Sequence, residues 1–267
     1  MQPAQKTAWL IGNVGPKAIM EKQLSEFVSA GFLVTREVDR PSYVSAELLP
    51  ARIVSASGCI ARFAPNTWCI EWTRDTRERR IEDARAFGLE FQDLQEIIAW
   101  TTSRFGKSIR WPNVITDLNT SKDLVSRFFS HLSNVKVLEL CLHRSMSQDF
   151  CQEAEPPPPK PGFAPNGRQG VQEVILKEKP PIPTGRILGF ELLVFDFSLS
   201  CSWLCNGLET QVEQDLGIKP NQYGLIDSFD KAFRCVEYIS RDDVGAEPGL
   251  WLPWLIIDHT ETVRLRH

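Results

Sequence analysis

Residues 187–197 read I-L-G-F-E-L-L-V-F-D-F, an apolar run of strand length, rich in Leu, Val and Phe, which predicts a central strand. Two helical patterns follow it. Ser200 or Ser202 can cap the first, whose Leu204, Leu208, Val212 and Leu216 lie four apart and which stops at Gly217. Asp227 or Ser228 can cap the second, bearing Phe229, Phe233, Val236 and Ile239. Residues 250–258 then return as an apolar strand, and Pro253, which has no amide to donate, predicts an edge position or a bulge. The order strand, helix, helix, strand predicts an α+β unit.

Working back from that unit, residues 153–170 hold the run Pro156 to Pro159 and then Pro161, Gly162, Pro165 and Gly167. Such a segment forms neither a helix nor an inner strand and predicts an extended connector. It divides the chain into an N-terminal α+β domain, 1–152, and an acidic C-terminal α+β domain, 171–267: two mixed layers or subdomains joined by proline-rich chain. Residues 171–179, closed by Pro180, Pro181 and Pro183, predict a further strand. In the N-terminal half, Pro16, Ile19, Leu24, Phe27 and Val28 predict an amphipathic helix stopped by Gly31. Residues 51–74 predict paired strands about Pro65-Asn66, with Trp68, Ile70 and Trp72 at period two. Ile81, Ala84, Phe87, Phe91, Leu94 and Ile98 predict one long helix over 76–104, bent at Gly88. A helix capped by Thr120 or Ser121 buries Leu124, Val125, Phe128, Phe129 and Leu132, and residues 135–142 alternate as a strand.

The chain has 267 residues and a formal charge of -4, with 42% hydrophobic and 24% charged residues, which excludes a disordered chain and a generally basic nucleic-acid binder. Residues 1–14 lack the apolar run of an export signal, and 250–257 is too short to span a bilayer. The expectation is a cytoplasmic protein with no membrane span. Seven cysteines scattered through apolar segments fit a reducing compartment.

The candidate chemistry is sparse. Cys201 and Cys205 lie one helical turn apart, with His259 as a downstream partner, which gives a thiol-dependent hydrolase as one reading; two thiols do not close a metal site. Cys141, His143 and Cys151 make a further sparse cluster that carries no recognisable site. Arg74, Arg77, Arg79, Arg80 and Arg85 are offset by Asp75, Glu78, Glu82 and Asp83, as on a solvated ion-paired face. No cofactor, metal or direct nucleic-acid contact is expected. Charge is more informative: residues 186–262 carry five cations against thirteen carboxylates, although the first 150 residues are slightly basic. A concentrated negative field steers basic partners.

Four strings in the C-terminal third sharpen this: G-F-E-L-L-V-F-D at 189–196, W-L-C-N-G-L-E at 203–209, N-Q-Y-G-L-I at 221–226 and D-V-G-A-E-P-G-L-W-L-P-W at 243–254. Together they resemble bacterial immunity proteins encoded beside polymorphic or contact-dependent toxins. The resemblance implies a non-enzymatic cytoplasmic inhibitor that binds its cognate toxin domain and occludes the active site. Local charge and predicted exposure, independently of that family, nominate Glu209, Glu213, Asp227, Asp230, Asp242, Asp243 and Glu247 as toxin contacts, with Trp251 as an aromatic anchor. A third reading, a scaffold whose residues 156–161 meet a proline-recognition domain, is less economical than a spacer.

Overall fold

The computed structural model describes residues 24–61, 63–64, 81–82, 84–85, 87–110, 114–153, 168–196 and 199–264. The α+β class expected from the sequence is present: among these residues seven helices accompany a large antiparallel sheet. Its axis is β7 (Val135–His143), whose residues from Val137 to Leu142 are all buried. One edge of β7 pairs with β1 (Phe27–Arg36) and the other with β10 (Leu252–Asp258). Beyond β10 lie β8 (Arg186–Asp196) and the edge strand β9 (Leu199–Ser202). On the other side of β1 come β6 (Val114–Ile115) and β5 (Ile109–Arg110), and β4 (Phe63–Ala64) also pairs with β1. A separate ribbon joins β2 (Val38–Asp39) to β3 (Arg52–Ile53).

Both faces of the sheet are covered, which is why its central strands read as nearly unbroken apolar runs. The side chains of β7 alternate between the faces. Leu138, Leu140 and Leu142, with Trp254 and Ile256 of β10, pack against α3 (Arg144–Glu153) and α4 (Arg168–Ile175) through Met146, Phe150, Val171, Val174 and Ile175. Cys141, Leu255 and Ile257 face α5 (Glu209–Leu216) and α6 (Phe229–Ile239). At the far end of that same face, Val135 and Val137 meet α1 (Phe91–Arg104) and α2 (Leu118–Leu124), which runs on as a wider turn over Val125–Phe129. The short α7 (Thr260–Arg264) follows β10.

The sheet crosses the expected chain division. β7 comes before residues 153–170 and β10 after them, yet they pair over five positions, and the core on either face draws on both halves. A proline run stops regular structure locally; it does not stop the chain from returning to an unpaired strand edge. Of the connector expected at 153–170, residues 154–167 lie outside the described residues, as do Pro16, Ile19, Trp68, Ile70 and Trp72, while Glu153 and residues 168–170 belong to α3 and α4.

Several local expectations are corrected. Phe27 and Val28 belong to a strand, and Gly31 lies inside it at a bulge with φ 106°. That glycine lets β6 approach, since a Cβ there would collide with the Val114 side chain and stand 3.0 Å from the Ile115 carbonyl. The pairing expected about Pro65-Asn66 has its second half outside the described residues; of its first half, β3 pairs with β2 and β4 with β1. Gly88, at φ 99°, ends the turn before it, and α1 starts afresh after the capping residue Glu90. Asp117, one turn earlier than expected, caps α2 by accepting the Thr120 amide at 2.8 Å. Residues 168–175 are helical, burying Val171, Val174 and Ile175 at helical spacing. Of the two caps expected, Ser200 lies in strand β9, and Ser202 caps a 3-10 turn (Trp203–Asn206) rather than the long helix, which starts only at α5 and does end at Gly217. Pro253 lies in an inner strand: its pairing is to Leu192 of β8, and the ladder with β7 begins only at Trp254, so no bond to β7 is forfeited.

The strap leading into β8 packs on the end of β10. A Cβ on Gly185 would lie 2.6 Å from His259 Cε1 and 2.8 Å from its Nε2, and that ring is fully buried. Gly185→Ala is therefore expected to cost about 1–3 kcal/mol by overpacking, measurable as a lower urea midpoint with an unchanged slope.

Candidate functional site

The acidic region of the sequence becomes the outer surface of α5, α6 and their loops. Ser228 caps α6 by accepting the Lys231 amide, and the stripe Ala232, Cys235, Val236 and Ile239 is buried against β8 and β10. Docking this stripe turns Asp230 and Glu237 outward. From Glu213 to Glu247, eight carboxylates stand outside the core against four cations. Lys219 is paired with Glu213 at 3.3 Å and Arg241 with Asp243 at 2.6 Å. Asp227, Asp230, Glu237, Asp242 and Glu247 make no ion pair with another described residue, so the face keeps a negative field.

The predicted contact residues divide. Asp227 and Asp230 are exposed at the start of α6, and Asp242, Asp243 and Glu247 are exposed beyond its end. Glu213 is half-buried and ion-paired. Glu209 is corrected: it is 2% exposed and accepts the Ser45 amide at 2.9 Å, fastening the 44–49 segment to α5. Trp251 is corrected as well. It is buried at 2% and donates its indole N–H to the Glu247 carbonyl at 2.8 Å, so it is a core residue that fixes the loop carrying Glu247.

The exposed aromatic on this face is instead Phe233, 39% accessible on α6. It stacks on Phe229 with centroids 6.2 Å apart; Phe229 stacks on His143 at 4.6 Å, and Phe27 meets His143 edge-on at 5.2 Å. This ladder runs from the buried Phe27 of the sheet through the partly buried His143 and Phe229 to the surface beside Asp227 and Asp230. The spacing of Phe229 and Phe233 was visible in the sequence, but a 3.6-residue period alone puts both on the buried stripe. The difference lies in Phe233 being at the edge of that stripe.

The thiols also come together, with an unexpected member. Cys59, in an exposed turn, brings its Sγ within 3.2 Å of Cys201 Sγ, and Cys205 Sγ lies 3.5 Å from Ser57 Oγ. Hydrogen bonding from Cys201, with burial, raises the Cys59 pKa; the bond to Cys59 and burial raise that of Cys205. Thiols held protonated in this way are weak nucleophiles near neutral pH. Cys141 is also pushed well up by burial, and Cys235 to about 11. Among the described residues no group of three or more His, Cys, Asp or Glu side chains is arranged to hold a metal ion.

His259 is not with these thiols. Cys201 pairs with Val194, level with the start of β10, whereas His259 follows the end of β10. Seven residues of strand separate those levels, roughly 23 Å at about 3.3 Å per residue. The imidazole instead faces Glu139, with Nε2 2.9 Å from Oε2, both residues fully buried. The hydrolase arrangement of Cys201 or Cys205 with His259 is thus not assembled. No helix of the described residues is long and apolar enough to cross a membrane. No family model, curated protein or solved structure matches the chain.

Proposed function

We propose that this chain is an immunity protein that binds a basic toxin domain in the cytoplasm through the α5–α6 face and occludes its active site. The observation that carries this reading is the placement of exposed Phe233 beside the uncompensated carboxylates Asp227 and Asp230. An aromatic anchor ringed by charge is the usual composition of a binding hot spot, and the field around it speeds encounter with a basic partner. The strings at 189–196, 203–209, 221–226 and 243–254 support the same assignment by resemblance.

Co-purification with the product of the adjacent gene, followed by rescue of cells expressing that product, tests the proposal. Failure both to bind and to protect sinks it. Given binding, Phe233→Ala is expected to weaken affinity by about 30-fold, the equivalent of about 2 kcal/mol for a hot-spot side chain. The double variant Asp227→Asn, Asp230→Asn is expected to slow association and flatten its salt dependence, leaving dissociation nearly unchanged. Both are read by surface binding kinetics at two ionic strengths.

A further inference from the structure

We infer that Cys59 and Cys201 form an oxidation site, in which a hydroperoxide converts the two thiols to a disulfide that locks the 57–61 turn onto the edge of the sheet. The inference is independent of the toxin-binding assignment.

The two cysteines come from segments 142 positions apart, and their sulfurs already approach to 3.2 Å. A disulfide needs about 2.05 Å, so the sulfurs have about 1 Å left to close. The backbones are held for it. The Gly58 amide donates to the Ser200 carbonyl at 3.0 Å, Ser57 Oγ donates to the same oxygen at 2.8 Å, and Ser200 Oγ donates to the Ala56 carbonyl at 2.6 Å. The turn therefore lies along β9 as a strap, with Cys59 next to the anchored Gly58.

The exposures of the two thiols differ in the way a stepwise oxidation requires. Cys59 is exposed and open to a small oxidant, whereas Cys201 is buried, reached through Cys59. In the first step the Cys59 thiol loses its proton, an event that its raised pKa makes infrequent near neutral pH and commoner as pH rises, and the thiolate attacks the peroxide: an S–O bond forms, the O–O bond breaks, and the departing oxygen takes up the proton to leave as water or an alcohol. In the second step the Cys201 sulfur attacks the Cys59 sulfenic acid: the S–S bond forms, the S–O bond breaks, and water leaves with the second thiol proton. Two thiols give up two electrons and the hydroperoxide accepts them. Cys205, which accepts the Ser202 amide at 3.4 Å and also interacts with Cys59, is the competing partner that peptide mapping distinguishes.

The full chain, reduced and desalted, is treated with hydrogen peroxide and followed by intact mass and by peptide mapping without reductant. The expected product has lost two hydrogens, regains them with dithiothreitol, yields one linked peptide containing residues 59 and 201, and melts at a higher temperature than the reduced protein. Cys59→Ser is expected to abolish the linkage; Cys205→Ser and Cys69→Ser are expected to keep it. Oxygen addition at Cys59 without a cross-link, a link between any other pair of cysteines, or one equivalent of zinc that protects these thiols overturns the inference. Circular dichroism verifies that the variants fold, and the linked peptide of the parent chain decides the matter even if one of them does not.

Discussion

His259→Ala is expected to lower the free energy of unfolding by about 3–5 kcal/mol, the cost of removing one member of a buried polar pair. Glu139 lies on the central strand, opposite Phe32 on one side and Ile257 on the other, and is 0% exposed. Its Oε2 takes the Ile182 amide at 3.0 Å as well as facing His259 Nε2, so it ties the strap before β8 to the end of β10. Among the described residues its Oε1 and the His259 Nδ1 find no partner. With the imidazole gone the carboxyl keeps only the Ile182 amide among the described residues, at the seam between the α1–α2 and α5–α6 cores. The converse experiment separates pairing from packing. A double Glu139→Leu, His259→Leu variant removes both polar groups and is expected to lose less than the sum of the two single losses, although the Ile182 amide, left without its acceptor, keeps the net effect unfavourable. A double-mutant cycle by urea unfolding measures the coupling, and strict additivity would show that the pair does not act as a unit.

These two residues also mark what can be read from sequence in this protein and what cannot. The strands β7 and β8 and the end of α5 at Gly217 were legible because apolar run length and a left-handed stop are local signals. Phe27–Arg36 was not, since F-V-S-A-G-F-L-V with its bulge glycine fits an amphipathic helix closing on glycine as well as it fits a strand. Only pairing with β7 decides between them. Likewise Val171, Val174 and Ile175 are a helical stripe whose reading was swayed by the flanking prolines. Pro253 argued for an edge because its missing amide was weighed without knowing where the neighbouring ladder begins. Of the predicted contacts, Asp227, Asp230, Asp242, Asp243 and Glu247 are exposed, but Glu209 and Trp251 are core residues. Charge says that a side chain needs water or a partner, and for Glu209 that partner is an amide 164 residues away. The usable signal for the buried carboxylates was simpler: Glu139 and Glu191 each interrupt an apolar strand, and a lone acid in such a run has a dedicated partner to find.

Glu191 should make stability fall as pH rises from about 4.5 to 7, contrary to the usual behaviour of paired carboxylates. Burial raises its pKa from 4.5 to about 7, even though the Ala56 amide, the Ser55 hydroxyl and Ser202 donate to it. The bonds from Ser55 Oγ to Oε1 and from Ala56 N to Oε2 are each 2.6 Å. Because the folded state holds its proton to higher pH than the unfolded chain, the stabilisation is complete below pH 4.5 and is lost as pH climbs to about 7, after which it is flat. The full span is about 3 kcal/mol at most. Asp258 acts in the opposite sense: burial raises its pKa, but the Thr260 hydroxyl and amide, Lys136 and Arg186 outweigh this and hold it below the ordinary value, so its contribution is lost only on further acidification. Stability is therefore expected to peak in the mildly acidic range. Glu191→Gln removes the titration while remaining able to accept from Ala56 and donate to Ser55, whose hydroxyl can turn to receive it. It should match the parent chain near pH 4.5, exceed it above pH 7, and show a flat profile between. Glu191→Leu also removes the titration but strands both donors and frees residues 54–57 from β8, with a loss of about 2–4 kcal/mol near pH 4.5 that narrows as the parent chain weakens toward pH 7. Urea unfolding midpoints at half-unit intervals of pH distinguish the two. A Glu191→Gln profile parallel to that of the parent would place the titration on another group.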